Sequence, residues 1–169
     1  DEMNVVVPTG NFGNILACYY AKRMGLPVKK LVCASNSNNV LTDFLTTGTY
    51  DKNRAFYTTT SPSMDILISS NLERLLYHLS GNDDALINDL MRRLSENGVY
   101  TVSESLLAEI QKHFSAGFAE ESEVNETIKA YFDQFGYLCD THPAVALKVY
   151  GDYVKNTGDD IPTVIDSTA

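Results

Sequence analysis

Apolar and polar positions along this chain follow three successive rhythms: strand-like, helical, then mixed again. Residues 4–7 form a short valine-rich run bounded by Pro8, Thr9 and Gly10, which predicts a buried strand ending at a loop. Ile15, Leu16, Tyr19, Tyr20 and Met24 then recur at helical spacing until Gly25, Leu26 and Pro27 stop them. Residues 29–33 supply a second strand. A crossover of this length does not fit a hairpin and predicts a parallel pair joined by a helix. A polar cluster, Asn36, Ser37, Asn38 and Asn39, follows directly. Val40, Leu41, Phe44 and Leu45 then predict a short helix ended by Gly48, and residues 56–59 a further strand before Ser61 and Pro62.

The middle of the chain reads as helical. Met64, Leu67, Ile68, Leu72, Leu75, Leu76 and Leu79 form one stripe, with Ser61 and Pro62 suited to N-cap and first-turn positions. Leu86, Ile87, Leu90, Met91 and Leu94 form the next, after a break at Gly81 and Asn82. Thr101 and Glu104 have capping-box spacing ahead of Leu106, Leu107, Ile110 and Phe114. Val124, Ile128, Tyr131, Phe132 and Phe135 make a fourth stripe, so residues 63–135 are expected to be a mainly helical insertion or layer beside the sheet. Thr141 can cap a helix through Val145, Val149, Tyr150 and Tyr153 that Gly158 closes, and residues 163–165 return to strand. Both termini lie hard against predicted strands, as expected of an excerpt from a larger α/β fold.

Composition narrows the class. At 169 residues and 44% apolar, the chain can bury a core of its own. No apolar run reaches the roughly 20 residues a membrane helix needs. The net charge of -9, from 22 acidic and 13 basic side chains, disfavours nucleic acid as a partner. Cys18, Cys33 and Cys139 are odd in number and widely spaced, which predicts free thiols in a reducing, cytoplasmic setting and no zinc site.

The candidate chemistry sits in the first loop. Gly10, Asn11, Phe12, Gly13 and Asn14 lie between an apolar strand and an amphipathic helix. The glycines permit positive φ or a close backbone approach to a ligand, and free N–H groups at a helix start can surround a phosphate. The pattern lacks the P-loop lysine and the dinucleotide fingerprint. By itself it is either an anion site or a turn that caps a helix, and Phe12 either packs beneath the loop or lies beside a ligand. Asn36, Ser37, Asn38 and Asn39 fall on the same sheet edge, as ligand contacts or as a capping cluster. His142 stands at a helix start, while His78, His113, Asp65 and Glu73 fall within helical patterns. No nucleophile elbow or metalloprotease motif occurs.

The run Pro8-Thr9-Gly10-Asn11-Phe12-Gly13-Asn14 resembles the phosphate loop of the threonine synthase family, which uses pyridoxal 5'-phosphate (PLP) and belongs to the fold type II group of PLP enzymes. The likeness continues in order through Ala34-Ser35-Asn36-Ser37-Asn38-Asn39-Val40-Leu41, Ser61-Pro62-Ser63-Met64-Asp65-Ile66, Ser69-Ser70-Asn71-Leu72-Glu73-Arg74, Gly136-Tyr137-Leu138-Cys139-Asp140-Thr141-His142-Pro143-Ala144 and Ser167-Thr168-Ala169. The resemblance implies an open parallel sheet flanked by helices, part of a PLP-binding large domain over residues 1–169. It implies that Gly10, Asn11, Phe12, Gly13 and Asn14 wrap the cofactor phosphate and that Thr168 faces the pyridine nitrogen. Asn36, Ser37, Asn38 and Asn39 would lie near the active site. The implied activity is conversion of O-phospho-L-homoserine and water to L-threonine and phosphate. The family's catalytic lysine falls upstream of residue 1 and its small domain outside the chain, so the fragment alone is expected to be inactive. Other fold type II enzymes, such as threonine dehydratase, and a non-catalytic phosphate-binding module remain the alternatives, and no oligomeric state is implied.

Overall fold

The computed structural model describes residues 2–168, so Asp1 and Ala169, the latter part of the closing matched block, lie outside the described residues. A parallel sheet organises the chain, with strand order β5-β2-β1-β6. Its strands are β1 (Met3–Pro8), β2 (Val28–Ser35), β5 (Phe114–Phe118) and β6 (Thr163–Ile165). β1 pairs in parallel with both β2 and β6, and β2 with β5. Because side chains alternate across a strand, Val5, Val7, Leu31 and Cys33 face one core and Val6, Val32 and Ala34 the other. Both faces are covered, as a parallel sheet requires. The first core is closed by α1 (Gly13–Arg23), α2 (Val40–Thr47), α3 (Leu72–Leu79), α4 (Asp84–Asn97) and α5 (Glu104–His113). The second is closed by α6 (Glu121–Phe135) and α7 (Thr141–Thr157). Val6, Leu31 and Ile15 are fully buried, each contributing about 1.5–3 kcal/mol relative to exposure.

Five expectations need correction. Residues 56–59 form no strand, because their backbone is bonded by side chains: Asn38 Oδ1 accepts the Tyr57 N–H and Asp65 Oδ2 that of Thr59, each at 2.9 Å. The short strand here is instead β3 (Thr49–Asp51), antiparallel to β4 (Val99–Thr101). The stripe from Met64 to Leu79 is not one helix. It is a single 3-10 turn (Pro62–Met64), an irregular stretch, then α3. The Tyr50 hydroxyl accepts the Ser69 N–H at 2.8 Å and donates to the Leu67 carbonyl at 3.0 Å, occupying groups that a continuous helix would need.

Thr101 closes β4, and the cap of α5 is Ser103, accepting the Leu106 N–H at 3.2 Å. Asp140, not Thr141, caps α7, where Pro143 falls in the first turn and costs no intrahelical bond. Phe114 ends α5 and opens β5, so two strands interrupt the helical middle.

At the N-terminal end of the sheet, Asp159 ties β1, β2 and α7 together. Its Oδ2 accepts from the Tyr153 hydroxyl at 2.8 Å and from buried Asn4 at 3.2 Å, and pairs with Lys29 at 3.0 Å. The Tyr153 bond, then that of Lys29, holds this carboxyl down to about 2. A carboxyl held below its unfolded value, ordinarily about 3.9, contributes stability above that value and loses it as pH falls toward 2. The Asp159→Asn variant is therefore expected to unfold at lower temperature at neutral pH and to lose less stability than the parent between pH 4 and 2, measured by thermal melts across that range.

Candidate functional site

β1 and β2 end side by side, with Pro8 opposite Ala34, and the loop into α1 leaves from that edge. Thr9 anchors it: its N–H donates to the Ala34 carbonyl and its hydroxyl to the Val7 carbonyl, at 2.8 and 2.7 Å. The chain then turns through Phe12, whose φ of 67° is left-handed. The positive φ thus falls on Phe12 and on neither glycine of the loop. A bulky residue tolerates this conformation only when its surroundings hold it there. The Phe12 ring is buried beneath the loop, 5.7 Å from the Phe114 ring, so it is a floor and not a ligand-facing group.

The two glycines answer to different constraints. A Cβ at Gly10 would stand 2.6 Å from the Ser63 carbonyl oxygen and 3.3 Å from Met64 Cα, so the 3-10 turn closes onto residue 10 only because it lacks a side chain. A Cβ at Gly13 would meet nothing nearer than Asn71 Nδ2 at 3.8 Å. The protein itself makes no demand for glycine there, and the open face is that of the first turn of α1.

Among the described residues, no acceptor takes the backbone N–H of Gly10, Asn11, Phe12, Gly13, Asn14 or Ile15. The loop's carbonyls, in contrast, are occupied: Gly10 accepts from the Ser69 hydroxyl at 2.8 Å, and Asn11 from the Asn71 backbone and side chain at 3.1 and 2.9 Å. Donors are left open and acceptors are tied back. A cavity of about 370 Å³ lies over this loop, lined by residues 7–15 and Ser63, none of them charged. Such a cavity can hold an anionic group on backbone N–H bonds of about 1.5–3 kcal/mol each, with about 0.3–1 kcal/mol more from the helix dipole.

The Asn cluster occupies the neighbouring strand end but spends its polar atoms internally. The two N–H groups of buried Asn36 are shared among Thr59 Oγ1, Ser61 Oγ and Asp65 Oδ1, at 2.9, 3.0 and 2.8 Å, and its Oδ1 accepts the Asn38 N–H at 2.9 Å. Asn38 donates to Asp65 Oδ1 and the Tyr57 carbonyl. Ser37 donates to Glu120, and Asn39 accepts from Arg54. Asn36 and Asn38 thereby hold the segment that presents Ser63 to the loop. Thr168, at the other side, brings its carbonyl within 3.5 Å of Asn14 Nδ2.

Several residues not singled out as site candidates prove to shape this edge: Ser63 lines the cavity, and Ser69 and Asn71 hold the loop carbonyls. A polar Ser69-Ser70-Asn71 break in an otherwise apolar stripe was the available signal. His142 joins them, accepting the Ser63 N–H on Nε2 at 3.3 Å, with Nδ1 2.7 Å from Asp140. His78 instead meets Tyr20 at 3.1 Å and His113 stacks edge-on to Tyr19, both away from the cavity. Cys18, Cys33 and Cys139 are free, and burial pushes the Cys33 thiol up to about 12, so it is no nucleophile. Among the described residues no metal-binding cluster forms, and no helix is long and apolar enough to cross a membrane.

The contrast between the glycines is testable by urea unfolding. Gly10→Ala is expected to cost about 1–3 kcal/mol by forcing the 3-10 turn off the loop. Gly13→Ala should stay within about 0.5 kcal/mol of the parent.

No family model matches the chain. Human threonine synthase-like 1 is 45% identical over 168 residues, covering 99% of this chain and 22% of that protein. The PLP-bound crystal structure of threonine synthase from Brucella melitensis superposes with a TM-score of 0.93 at 43% identity, covering 100% of this chain and 36% of that one. The yeast threonine synthase structure gives 0.92 at 37% identity, covering 99% and 36%. The chain thus spans between about a fifth and a third of the length of these relatives. In sequence and fold this chain is thus similar, along its whole length, to one part of these threonine synthases, and it carries the parallel-sheet fold of fold type II enzymes.

Proposed function

We propose that the chain is the phosphate-binding part of a threonine synthase, which in its complete form converts O-phospho-L-homoserine and water to L-threonine and phosphate. The observation that carries this reading is the row of unaccepted N–H groups from Gly10 to Ile15 around a cavity without charged side chains. Gly13 adds to it, since a residue with room for a Cβ and an ordinary backbone gains from being glycine only if something else approaches closely.

The donor set fits the phosphate of pyridoxal 5'-phosphate. Gly10, Asn11, Phe12, Gly13 and Asn14 would hold it through main-chain N–H groups, with the N-terminus of α1 contributing positive potential. Thr168, tethered near Asn14, is the residue we assign to the pyridine nitrogen, following the family pattern; a neutral hydroxyl there suits an unprotonated ring. When bound, the cofactor supplies an electron sink for elimination and water addition at an amino-acid side chain. This chain's own part is to fix the phosphate, orient the ring through Thr168, and keep the pocket floor dry with Phe12. Asn36 and Asn38 act one step back, bracing the Ser61–Ser63 stretch, while Ser37 and Asn39 tie the same edge to Glu120 and Arg54.

Among the described residues, no lysine lines the cavity. We therefore assign the covalent and proton-moving lysine, with the small domain, to other parts of the complete protein. Residues 1–169 would belong to its large PLP-binding domain, with residues 63–135 a largely helical layer. The free cysteines support a cytoplasmic setting. No feature favours a nucleic-acid partner.

The test is phosphate release from O-phospho-L-homoserine by the complete protein, with threonine followed in the same reaction. Equal amounts of both are expected, and neither from residues 1–169 alone. Replacing Gly13 by Val in the complete protein should weaken PLP binding by about tenfold or more, equivalent to about 1.4 kcal/mol, while leaving the fold intact. Turnover that is independent of PLP would exclude the assignment.

A further inference from the structure

The strongest unassigned arrangement lies behind the cavity wall, at the start of α7. Ser63 lines the cavity, and its carbonyl is the atom that a side chain at residue 10 would strike. Its N–H points the other way, to His142 Nε2 at 3.3 Å. On the far side of the ring, Nδ1 lies 2.7 Å from Asp140 Oδ1, which also accepts the His142 N–H at 2.9 Å as the cap of α7. Beside it, the Thr141 hydroxyl donates to the Thr60 carbonyl at 2.7 Å. The first turn of α7 therefore grips the segment that closes over Gly10 at two points.

The hydrogen-bond roles here are fixed by chemistry. A backbone N–H can only donate, so Nε2 must be the bare nitrogen. An ionised carboxylate can only accept, so Nδ1 carries the proton. The neutral ring thus joins Asp140 to Ser63 in one direction. A protonated ring would turn Nε2 into a second donor facing a donor, and the bond to Ser63 would be lost while the pair with Asp140 strengthened. Among the described residues Asp140 is the charged group bonded to the ring. Asp65, on the segment it grips, is turned to Asn36, Asn38 and Thr59, and Glu121 on α6 accepts the Thr60 N–H at 3.1 Å.

We propose that His142 is a positioning residue for the phosphate loop: neutral, it holds the Pro62–Met64 turn against Gly10, and protonated, it releases that turn and loosens the grip on phosphate. The inference rests on the PLP reading of the site. It acts through Ser63 and gives His142 no contact with the cofactor.

The test is made in the complete protein by measuring the dissociation constants of PLP and of pyridoxal, which lacks the phosphate, at pH 8 and pH 5.5. The pyridoxal constant divided by the PLP constant reports the phosphate grip alone, and the phosphate's own ionisation is common to all variants. In the parent, the ratio should fall between the two pH values by about three- to tenfold more than in His142→Gln, the range that one hydrogen bond supplies. Glutamine offers Ser63 an acceptor that does not titrate. Identical ratios in the parent and His142→Gln at both pH values would overturn the inference while leaving the phosphate site standing. A parent that binds PLP no better than pyridoxal at pH 8 would overturn the site assignment itself.

Discussion

One close approach governs this edge of the sheet: the Ser63 carbonyl and Met64 Cα lie where a side chain at residue 10 would otherwise be. That approach lets the 3-10 turn roof the loop leaving β1, and the roof defines the cavity. Ser69 can then reach the Gly10 carbonyl and Asn71 the Asn11 carbonyl. With its acceptors tied back from outside, the loop presents only donors inward. The same ties break what would have been one long helix into a 3-10 turn, an irregular stretch and α3.

Most of the polar side chains nearby serve this geometry. Asn36, Asn38, Thr59, Ser61 and Asp65 form a connected network, and buried amides of this kind are favourable only when nearly every donor and acceptor is satisfied. It fixes a segment with no regular backbone partners, which is the condition for a pocket wall to be rigid without being a strand or helix. An anion site made this way owes nothing to net charge. A chain with a formal charge of -9 can therefore offer a local phosphate cradle, since the relevant positive potential belongs to main-chain N–H groups.

The sequence pattern made the outer frame legible because strands β1, β2 and β6 and helices α1, α2, α4, α6 and α7 each carry their own period and stops. It did not separate Met64 to Leu79 into pieces, because the partners that interrupt it, Tyr50, Gly10 and Asn11, lie at distant positions. Phe114 reads equally well as the last apolar position of α5 or the first of β5, and only pairing with Leu31 decides. At the site, the glycine loop was visible as a pattern, yet Gly10 and Gly13 looked alike. Their difference depends on Ser63, more than fifty positions away, and the left-handed turn fell on Phe12 instead. His142 looked like an ordinary helix-start residue because its partner Ser63 is a long-range neighbour. The enzyme family was legible only through ordered resemblance, since no residue in the chain announces the chemistry by itself.

The central claim is that the open N–H groups of this loop receive a phosphate. The most direct measurement is an amide NMR titration of the complete protein, labelled with 15N-glycine and depleted of cofactor, against PLP and then against inorganic phosphate. The account predicts that the Gly10 and Gly13 resonances move downfield with both ligands while Gly25 and Gly81, at turns away from the cavity, stay in place. Saturating PLP that left Gly10 and Gly13 unmoved would contradict it.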